Sequence, residues 1–228
     1  MFDSKNISNY KLQDLAMKYR YNPYNKKVVD AYYKALYIKA SPYNGKMDDY
    51  DNRMAIKEQQ EGKGFNNIKK FKETIDKDCF SSLILSGSTG TGKTYIADRI
   101  AIGTLLRDDN RLPVNRVNNV IKKFRGNYSN WEGFGKSLIV IDDIGRGNIA
   151  SSDEKLEIEI LKKIIHDANE TKSKLIITTN LKPETLKREY MADKATKSRM
   201  QGDNHIQAIF TGYDLRSDKM QAEYKLNK

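Results

Sequence analysis

Three short runs of consecutive apolar residues alternate along the chain with longer stretches of helical periodicity. The runs are Leu83–Leu85, Leu138–Ile141 and Leu175–Ile177. Uninterrupted apolar runs are typical of strands that are buried on both faces of a parallel sheet. The longest amphipathic stretch, Asp153–Thr171, spaces its apolar residues three or four positions apart, as a helix packed on such a sheet requires. This alternation predicts a three-layer α/β/α domain over residues 65–228, with about five parallel strands.

The full set of predicted elements follows from the same periodicities and from the turn residues between them. The predicted strands are Ser82–Ser86, Leu112–Val117, Ser137–Asp143, Leu175–Asn180 and Asn204–Phe210. The predicted helices are Phe65–Lys77, Lys93–Arg107, Val120–Phe124, Asp153–Thr171, Thr185–Met191 and Asp193–Met200.

Residues 1–64 differ in composition and pattern from the rest of the chain. They are rich in Tyr, Lys and Asn and show helical rather than strand periodicity. The last predicted helix of this region, Met47–Glu61, is polar and ends at Gly62 and Gly64, since glycine commonly terminates helices. We interpret residues 1–64 as a small helical partner-binding region, because tyrosine is favoured at protein interfaces. The alternative is that the tyrosines pack these helices against each other or against the main domain.

A glycine-rich loop follows the first predicted strand and precedes a predicted helix. It consists of Gly87, Ser88, Thr89, Gly90, Thr91, Gly92, Lys93 and Thr94, with Tyr95 next in the chain. The spacing G-x-x-x-x-G-K-[ST] between a strand and a helix is typical of phosphate-binding loops. Glycines at positive φ turn backbone N–H groups toward phosphate oxygens, and the helix N-terminus adds partial positive charge. The alternative is a glycine-rich turn that matches by chance, and the well-formed flanks argue against it.

The residue types at the end of this loop predict its ligands. Lys93 is expected to reach the β- and γ-phosphates of ATP, and the hydroxyl of Thr94 is expected to bind Mg²⁺. We therefore predict a P-loop NTPase fold in which residues 87–95 contact the nucleotide.

Two acids and an amide stand at the ends of two other predicted strands. Asp142 and Asp143 end one strand, and Asn180 ends the next. Ligands bind at the carboxyl ends of the strands in open α/β sheets. We expect Asp142 to complete the Mg²⁺ site, Asp143 to orient or deprotonate the attacking water, and Asn180 to bind the γ-phosphate or that water. The alternatives are a helix-capping pair for the aspartates and a simple turn for Asn180.

The chain is strongly basic. It has 41 Lys and Arg against 30 Asp and Glu, which gives a net charge of +11 and a pI of about 9.4. In a predicted nucleotide-binding protein this excess suggests a polyanionic partner, with nucleic acid as the first choice. A generally basic protein without such a partner is the alternative.

Cysteine and histidine usage excludes several other kinds of site. The single cysteine, Cys79, excludes an internal disulfide framework and a zinc site of several cysteines. The two histidines are far apart in sequence, so no structural metal is expected. No apolar run approaches the ~20 residues of a membrane-spanning helix, and the N-terminus lacks a signal-peptide core. A cytoplasmic protein is expected.

Four stretches of the chain resemble one known family. They are the loop Gly87–Thr94, the strand end Leu138–Gly145, the segment Ile176–Asn180, and the closing pattern Ser198–Met200 with Ile209–Arg216. From Ser82 onward the chain resembles the AAA+ helicase loaders of bacteria and phages, the DnaC/DnaI-like group, with the IstB transposition ATPases as near relatives. Many ATPase families share the loop, whereas the Asp-Asp-Ile-Gly ending and the closing Ser-Arg-Met pattern are much more specific. Residues 1–64 are not covered.

The resemblance implies an AAA+ ATPase core and roles for several cations. Arg199 matches the family's arginine finger, which reaches the γ-phosphate bound by a neighbouring subunit of a homo-oligomer. Arg216 matches a sensor-type arginine near the nucleotide. Members of this group bind single-stranded DNA inside the oligomer. Cations beside an aromatic side chain suit such binding, and this chain has them in the segment Lys122, Lys123, Phe124 and Arg125. The alternative is that this segment is a solvated helix end.

The function that the resemblance implies is ATP-dependent loading of the replicative helicase onto single-stranded DNA. Two departures bear on it. Asp143 stands where Glu is usual, which is expected to slow hydrolysis by misplacing the base. Some loaders begin with a zinc-bearing helicase-binding domain, and this chain has neither its cysteines nor its length. The alternatives are an IstB-like transposition helper, an ATP-binding adaptor that does not hydrolyse, and a small-molecule phosphotransferase, for which the required arginine-rich lid is missing.

Overall fold

A computed structural model of the protein describes residues 62–106, 112–118, 133–145 and 152–211. The strands are β1 Ser81–Gly87, β2 Val114–Asn118, β3 Leu138–Ile144, β4 Lys174–Thr179 and β5 His205–Phe210. The helices are α1 Gly62–Lys72, α2 Lys93–Leu106, α3 Ser152–Glu170, α4 Pro183–Thr185 and α5 Lys194–Arg199, and a π-helical turn, Leu186–Tyr190, continues α4. The helices proposed for residues 1–61 and the helix Val120–Phe124 lie outside the described residues.

The five strands form one sheet in the order β2-β3-β4-β1-β5, and every neighbouring pair is parallel. The strand β4 is buried at every position, as expected for a strand covered on both faces. The strand β5, at one edge, has buried residues alternating with more exposed ones. The predicted five-stranded parallel sheet is confirmed.

Apolar side chains of the sheet pack against helices on both faces. On one face, α1 and α2 cover Leu83, Leu85, Val140 and Ile176. On the other face, α3 and the π-helical turn cover Ile139, Ile141, Leu175 and Ile177. Successive strand residues point to opposite faces, so each apolar run supplies both cores. The three-layer α/β/α P-loop NTPase fold predicted from the sequence is confirmed.

The direction of the strands places the candidate residues at one edge of the sheet. Because all five strands are parallel, their carboxyl ends lie along the same edge. The strand β1 leads into the glycine-rich loop, β3 carries Asp142 and Asp143 near its carboxyl end, and β4 is followed by Asn180. The strand β4 lies between β1 and β3, so these three segments are neighbours.

The prediction that Gly62 and Gly64 end a preceding helix is wrong, because both residues lie within α1. Gly64 is buried, and a Cβ on it would lie 3.5 Å from the backbone oxygen of Ile209. Gly64 therefore lies where α1 packs on β5, with room for an ordinary van der Waals contact. A glycine that local rules assign to a helix end thus lies inside a helix here.

Two other predicted helices have different bounds in the structure. The helix predicted as Phe65–Lys77 ends at Lys72, where tight turns follow and the hydroxyl of Thr74 donates to the carbonyl of Phe71 at 2.7 Å. The helix predicted to begin at Thr185 begins at Pro183, a residue favoured in the first helical turn.

Among the described residues, none of the helices combines the length and apolar character needed to cross a bilayer.

Candidate active site

The glycine-rich loop has the backbone conformation that its sequence predicts. Gly87, Gly90 and Gly92 have φ angles of 145°, 82° and 89°, which confirms the expected positive φ at all three. At Gly87 a Cβ would also overlap the backbone oxygen of Phe210 in the neighbouring strand β5. Glycine is therefore required there by both conformation and space.

Lys93 lies buried under this loop, with 7 % of its surface exposed. Its Nζ donates to the backbone oxygen of Gly87 at 2.8 Å and to that of Ser88 at 2.6 Å. The hydroxyl of Thr91 donates to the same Ser88 oxygen at 2.9 Å. The ammonium group is thus held at the loop by neutral acceptors, and a phosphate would offer it stronger, charged ones.

Thr94, the second residue of α2, faces Asp142 at the end of β3. Its hydroxyl donates to Asp142 Oδ1 at 2.9 Å. The hydroxyl of Thr178, on β4, donates to the same carboxylate oxygen at 2.7 Å. A hydroxyl and a carboxylate side by side are the oxygen ligands that Mg²⁺ prefers, so these residues fit the ion that the sequence predicts.

The other oxygen of the Asp142 carboxylate binds an arginine that sequence reasoning did not single out. Arg116, from the edge strand β2, donates to Asp142 Oδ2 at 2.9 Å. Its second terminal nitrogen donates to Asp98 Oδ1 on α2. The side chains of Asp98, Arg116 and Asp142 are 0 %, 6 % and 13 % exposed, so this chain of charges is nearly excluded from water.

A bulge near the end of β3 contains the two aspartates. Ile141 pairs with Ile177 and Ile144 with Thr179, so β3 has one more residue than β4 in this interval. Asp143 has a φ of 69°, in the left-handed region, and its N–H donates to Thr178 Oγ1 at 2.8 Å. Neither aspartate pairs with β4 at this bulge, whereas Asp142 still pairs with Asn118 of β2.

The structure brings Asp143 and Asn180 together. The Nδ2 of Asn180 lies 3.4 Å from Asp143 Oδ1, a long hydrogen bond. The two predicted hydrolytic residues therefore lie side by side, at the ends of neighbouring strands.

A buried acidic cluster lies behind this edge. The N–H of Gly145 donates to Glu157 Oε2 at 3.1 Å, and the hydroxyl of Tyr190 lies 2.9 Å from the same oxygen. That hydroxyl is also 3.0 Å from Glu154 Oε1, although it can donate to only one acceptor at a time. Burial raises the pKa of Glu157, an effect that the hydrogen bonds from Tyr190 and Gly145 oppose. Burial and the two carboxyls raise the pKa of Tyr190.

The remaining predicted site residues lie elsewhere. The Tyr95 side chain is buried in the apolar core that α1 and α2 form on one face of the sheet. Arg199 ends α5 and lines an open groove of about 390 Å³ between α3 and α5. Two sets of predicted residues lie outside the described part of the chain: Arg216, and the group Lys122, Lys123, Phe124 and Arg125.

Sequence reasoning missed Thr178, Arg116 and Glu157 as members of this site. Thr178 could have been found, since it stands two residues before Asn180 at the end of an apolar run. One feature of the sequence could have indicated Arg116, because it is a charged residue inside a predicted strand. No feature of the sequence distinguishes Glu157, because a glutamate in an amphipathic helix normally faces water.

Comparisons with known proteins agree with the fold. The sequence profile of the family described as "nSTAND3: Novel STAND NTPase 3" matches residues 65–221. The solved structure of a DNA replication initiation factor is 18% identical, with a TM-score of 0.50 over 70% of this chain and 48% of that one. The chain thus spans about half the length of that protein.

Two other solved structures are also similar. The DnaC helicase loader is 16% identical, with a TM-score of 0.47 over 65% of this chain and 89% of that one. DnaI is 17% identical, with a TM-score of 0.44 over 64% and 83% of the two chains. The search of curated proteins found no match.

We expect Glu157→Gln to stabilise the protein more at pH 8 than at pH 5. Because the pKa of this carboxyl is raised in the folded state, its ionisation destabilises the fold as the pH rises above the ordinary pKa of about 4.3. Glutamine removes that ionisation and keeps an oxygen for Gly145 and Tyr190. Thermal unfolding of both proteins across this range measures the difference.

The control for this experiment is Glu159→Gln, at an exposed position of the same helix α3. Its effect on the melting temperature should vary little with pH. A difference between Glu157→Gln and the wild type that stays constant or shrinks as the pH rises would contradict the assignment of a costly buried charge.

Proposed function

The chain belongs to the Novel STAND NTPase 3 family, and we propose that it is a Mg²⁺-dependent ATPase that loads the replicative helicase onto single-stranded DNA. The family match covers more than half of the chain and makes it a nucleotide-binding NTPase. The choice of ATP and Mg²⁺, the trans-acting arginine and the helicase are the parts that we infer.

The observation that supports hydrolysis is the meeting of three strand ends. Lys93 and Thr94 lie beyond β1, Asp142 and Asp143 lie near the carboxyl end of β3, and Asn180 follows β4. Thr94 and Asp142 are 2.9 Å apart, and Asp143 and Asn180 are 3.4 Å apart. Hydrolysis of a nucleotide requires groups that bind the phosphates and Mg²⁺ next to groups that orient the attacking water, and this sheet edge offers both.

Each residue has a role in the proposed reaction. Lys93 and the loop N–H groups would neutralise the phosphates, and Thr94 with Asp142 would hold Mg²⁺, which supplies stabilisation of charge on the phosphate oxygens. Asn180 orients a water beside Asp143, and Asp143 accepts its proton as the water oxygen bonds to the γ-phosphorus. The bond from that phosphorus to the β–γ bridging oxygen breaks, which yields ADP and phosphate.

The identity of Asp143 affects the expected rate of ATP hydrolysis. The aspartate side chain is one methylene shorter than that of glutamate, so we expect slow hydrolysis that DNA or a partner accelerates. If the carboxylate does not reach the water at all, the chain is an ATP-binding adaptor. Formation of ADP over time separates these two cases.

We infer that Arg199 acts on the nucleotide of a neighbouring copy. It lines the groove between α3 and α5 together with Lys162, Lys163 and His166, whereas Lys93 lies under the phosphate loop. Two acids, Glu159 and Asp193, line the same groove. Three cations against two carboxylates leave a small positive excess, which suits the anionic phosphates of a second subunit's ATP. The arginine would then neutralise charge on the transferred phosphoryl group.

The replication role has three supports of unequal weight. The net charge of +11 suits a nucleic-acid partner, and the Ser198–Met200 motif resembles the loaders. The similar DNA replication initiation factor shares the fold. We further propose that residues 1–64 bind the helicase, and that Lys122–Arg125 and Arg216 contact DNA and nucleotide respectively.

Lys93→Ala is expected to reduce ATP hydrolysis by at least about 100-fold, because it removes a buried cation aimed at the developing charge. The matched control is Lys72→Ala, at an exposed position of α1, which should hydrolyse ATP like the wild type. Release of phosphate, with and without single-stranded DNA, measures the rate. Equal hydrolysis by Lys93→Ala and the wild type would refute the proposed ATPase.

Mixing two inactive variants tests the neighbour's role. Lys93→Ala and Arg199→Ala should each be inactive alone, whereas a one-to-one mixture should recover about one quarter of wild-type activity. That fraction is the share of randomly formed interfaces with an intact loop on one side and an intact arginine on the other. Lys197→Ala on the same helix is the control and should remain active. A mixture no more active than its components would exclude a trans-acting Arg199.

Binding to purified proteins tests whether the partner is a replicative helicase or a transposase. We expect the full chain with ATP to bind a hexameric replicative helicase and not a transposase, with loss of binding after deletion of residues 1–60. The deleted protein should still bind nucleotide, which serves as its folding control. Binding to a transposase alone would replace the helicase-loader proposal with the IstB-like one.

A further inference from the structure

The chain Asp98–Arg116–Asp142 joins three elements next to the candidate Mg²⁺ site. Asp98 lies on α2, Arg116 on the edge strand β2 and Asp142 at the end of β3. Arg116 pairs with Val140 in the parallel ladder, two residues before Asp142. Although β2 is an edge strand, only 6 % of the Arg116 side chain is exposed. The guanidinium is therefore directed into the protein, between two carboxylates.

The contacts of the Asp142 carboxylate divide between its two oxygens. Oδ1 accepts from the hydroxyls of Thr94 and Thr178, at 2.9 and 2.7 Å. Oδ2 accepts from Arg116 at 2.9 Å. Hydrogen bonds on both oxygens fix the rotation of the carboxylate plane. The oxygen next to Thr94 is thereby held at the phosphate loop, and Arg116 occupies the opposite one.

Asp98 fixes the arginine in turn. One terminal nitrogen of Arg116 binds Asp98 and the other binds Asp142, so the planar fork spans both acids. A lysine could not do so, because its ammonium group is a single point on a flexible stem. Asp98 is fully buried, and a buried carboxylate requires a partner of opposite charge.

Stability alone is a poor reason for such an arrangement. Buried ion pairs can often be replaced by apolar residues without loss of stability, because removing two charges from water is costly. Here the arrangement ends on the one carboxylate that the proposed function assigns to Mg²⁺. Partners behind a metal ligand orient it and commonly contribute 10–100-fold to metal affinity.

We propose that Asp98 and Arg116 are positioning residues that orient Asp142 for Mg²⁺. This inference rests on the proposed nucleotide and Mg²⁺ site and adds two residues to it. Arg116 binds Oδ2, so it keeps its place when the ion approaches from the side of Thr94. The pair therefore acts on Mg²⁺ affinity and leaves the phosphate contacts of Lys93 unchanged.

The test is the double variant Asp98→Asn/Arg116→Gln, which removes one negative and one positive charge together. Its net charge equals that of the wild type. A changed affinity for Mg²⁺ therefore reports the orientation of the Asp142 carboxylate more than a change in the protein's overall electrostatic field. The affinity for a fluorescent ADP analogue is measured in EDTA and at increasing Mg²⁺, and Mn²⁺ binding to the ADP complex is followed by electron paramagnetic resonance. We expect about tenfold weaker Mg²⁺ and Mn²⁺ binding and unchanged affinity for the analogue in EDTA.

The control removes an equivalent pair of charges far from the site. Asp78→Asn/Lys136→Gln breaks an exposed ion pair, with the two side chains 62 % and 55 % exposed, ahead of β1 and β3. It also removes the exposed contact of Asp78 with Lys172. It should leave Mg²⁺ affinity unchanged. Arg116→Lys keeps the charge and loses the fork, and it should weaken Mg²⁺ binding in the same direction but less. If the double variant does not unfold cooperatively, Mg²⁺ binding by Arg116→Lys alone decides whether the pair orients Asp142.

Two results would overturn the inference. Unchanged Mg²⁺ affinity in both variants would mean that the pair is only structural. Tighter Mg²⁺ binding would mean that Arg116 competes with the ion for Asp142. Both differ from failure of the proposed function, in which the wild type itself would not bind the ADP analogue or would show no dependence on Mg²⁺.

Discussion

The carboxylate of Asp142 is the contact on which the described site depends. It accepts hydrogen bonds from the start of α2, from β4 and from β2, and Asp142 itself lies near the end of β3. Four elements that are distant in sequence are thereby fixed relative to one another at one point. Because β3 is neighboured by β2 and β4, the parallel sheet supplies two of these partners directly. The phosphate loop is held in register with the acids through Thr94.

A second layer of contacts supports the bulge that follows Asp142. Thr178 binds both the Asp142 carboxylate and the N–H of Asp143, so one hydroxyl holds the two sides of the bulge. Beyond it, the N–H of Gly145 binds Glu157 on α3, and Tyr190 of the π-helical turn binds the same oxygen. A movement of α3 or of that turn would therefore be transmitted to the residues proposed for hydrolysis.

The sequence predicts the parts of this molecule that depend on local rules. The positive φ angles of the glycine loop, the parallel sheet and the convergence of Asp142, Asp143 and Asn180 follow from spacing and from strand direction. Arg116 and Glu157 could not be assigned in this way, because their roles depend on which elements become neighbours. Gly64 shows the opposite error, since a local rule for helix ends misread a glycine that lies inside α1, where that helix contacts β5.

The φ of 69° at Asp143 bears on the identity of the acid itself. Residues with left-handed backbone cost of order 1–3 kcal/mol unless they are glycine, and Asp and Asn tolerate this region better than longer side chains. The shorter acid is thus the one that this backbone accommodates at least cost. The departure from the more usual glutamate is then a matter of conformation as well as of reach. In this protein the geometry of the strand end and the choice of the acid have to change together.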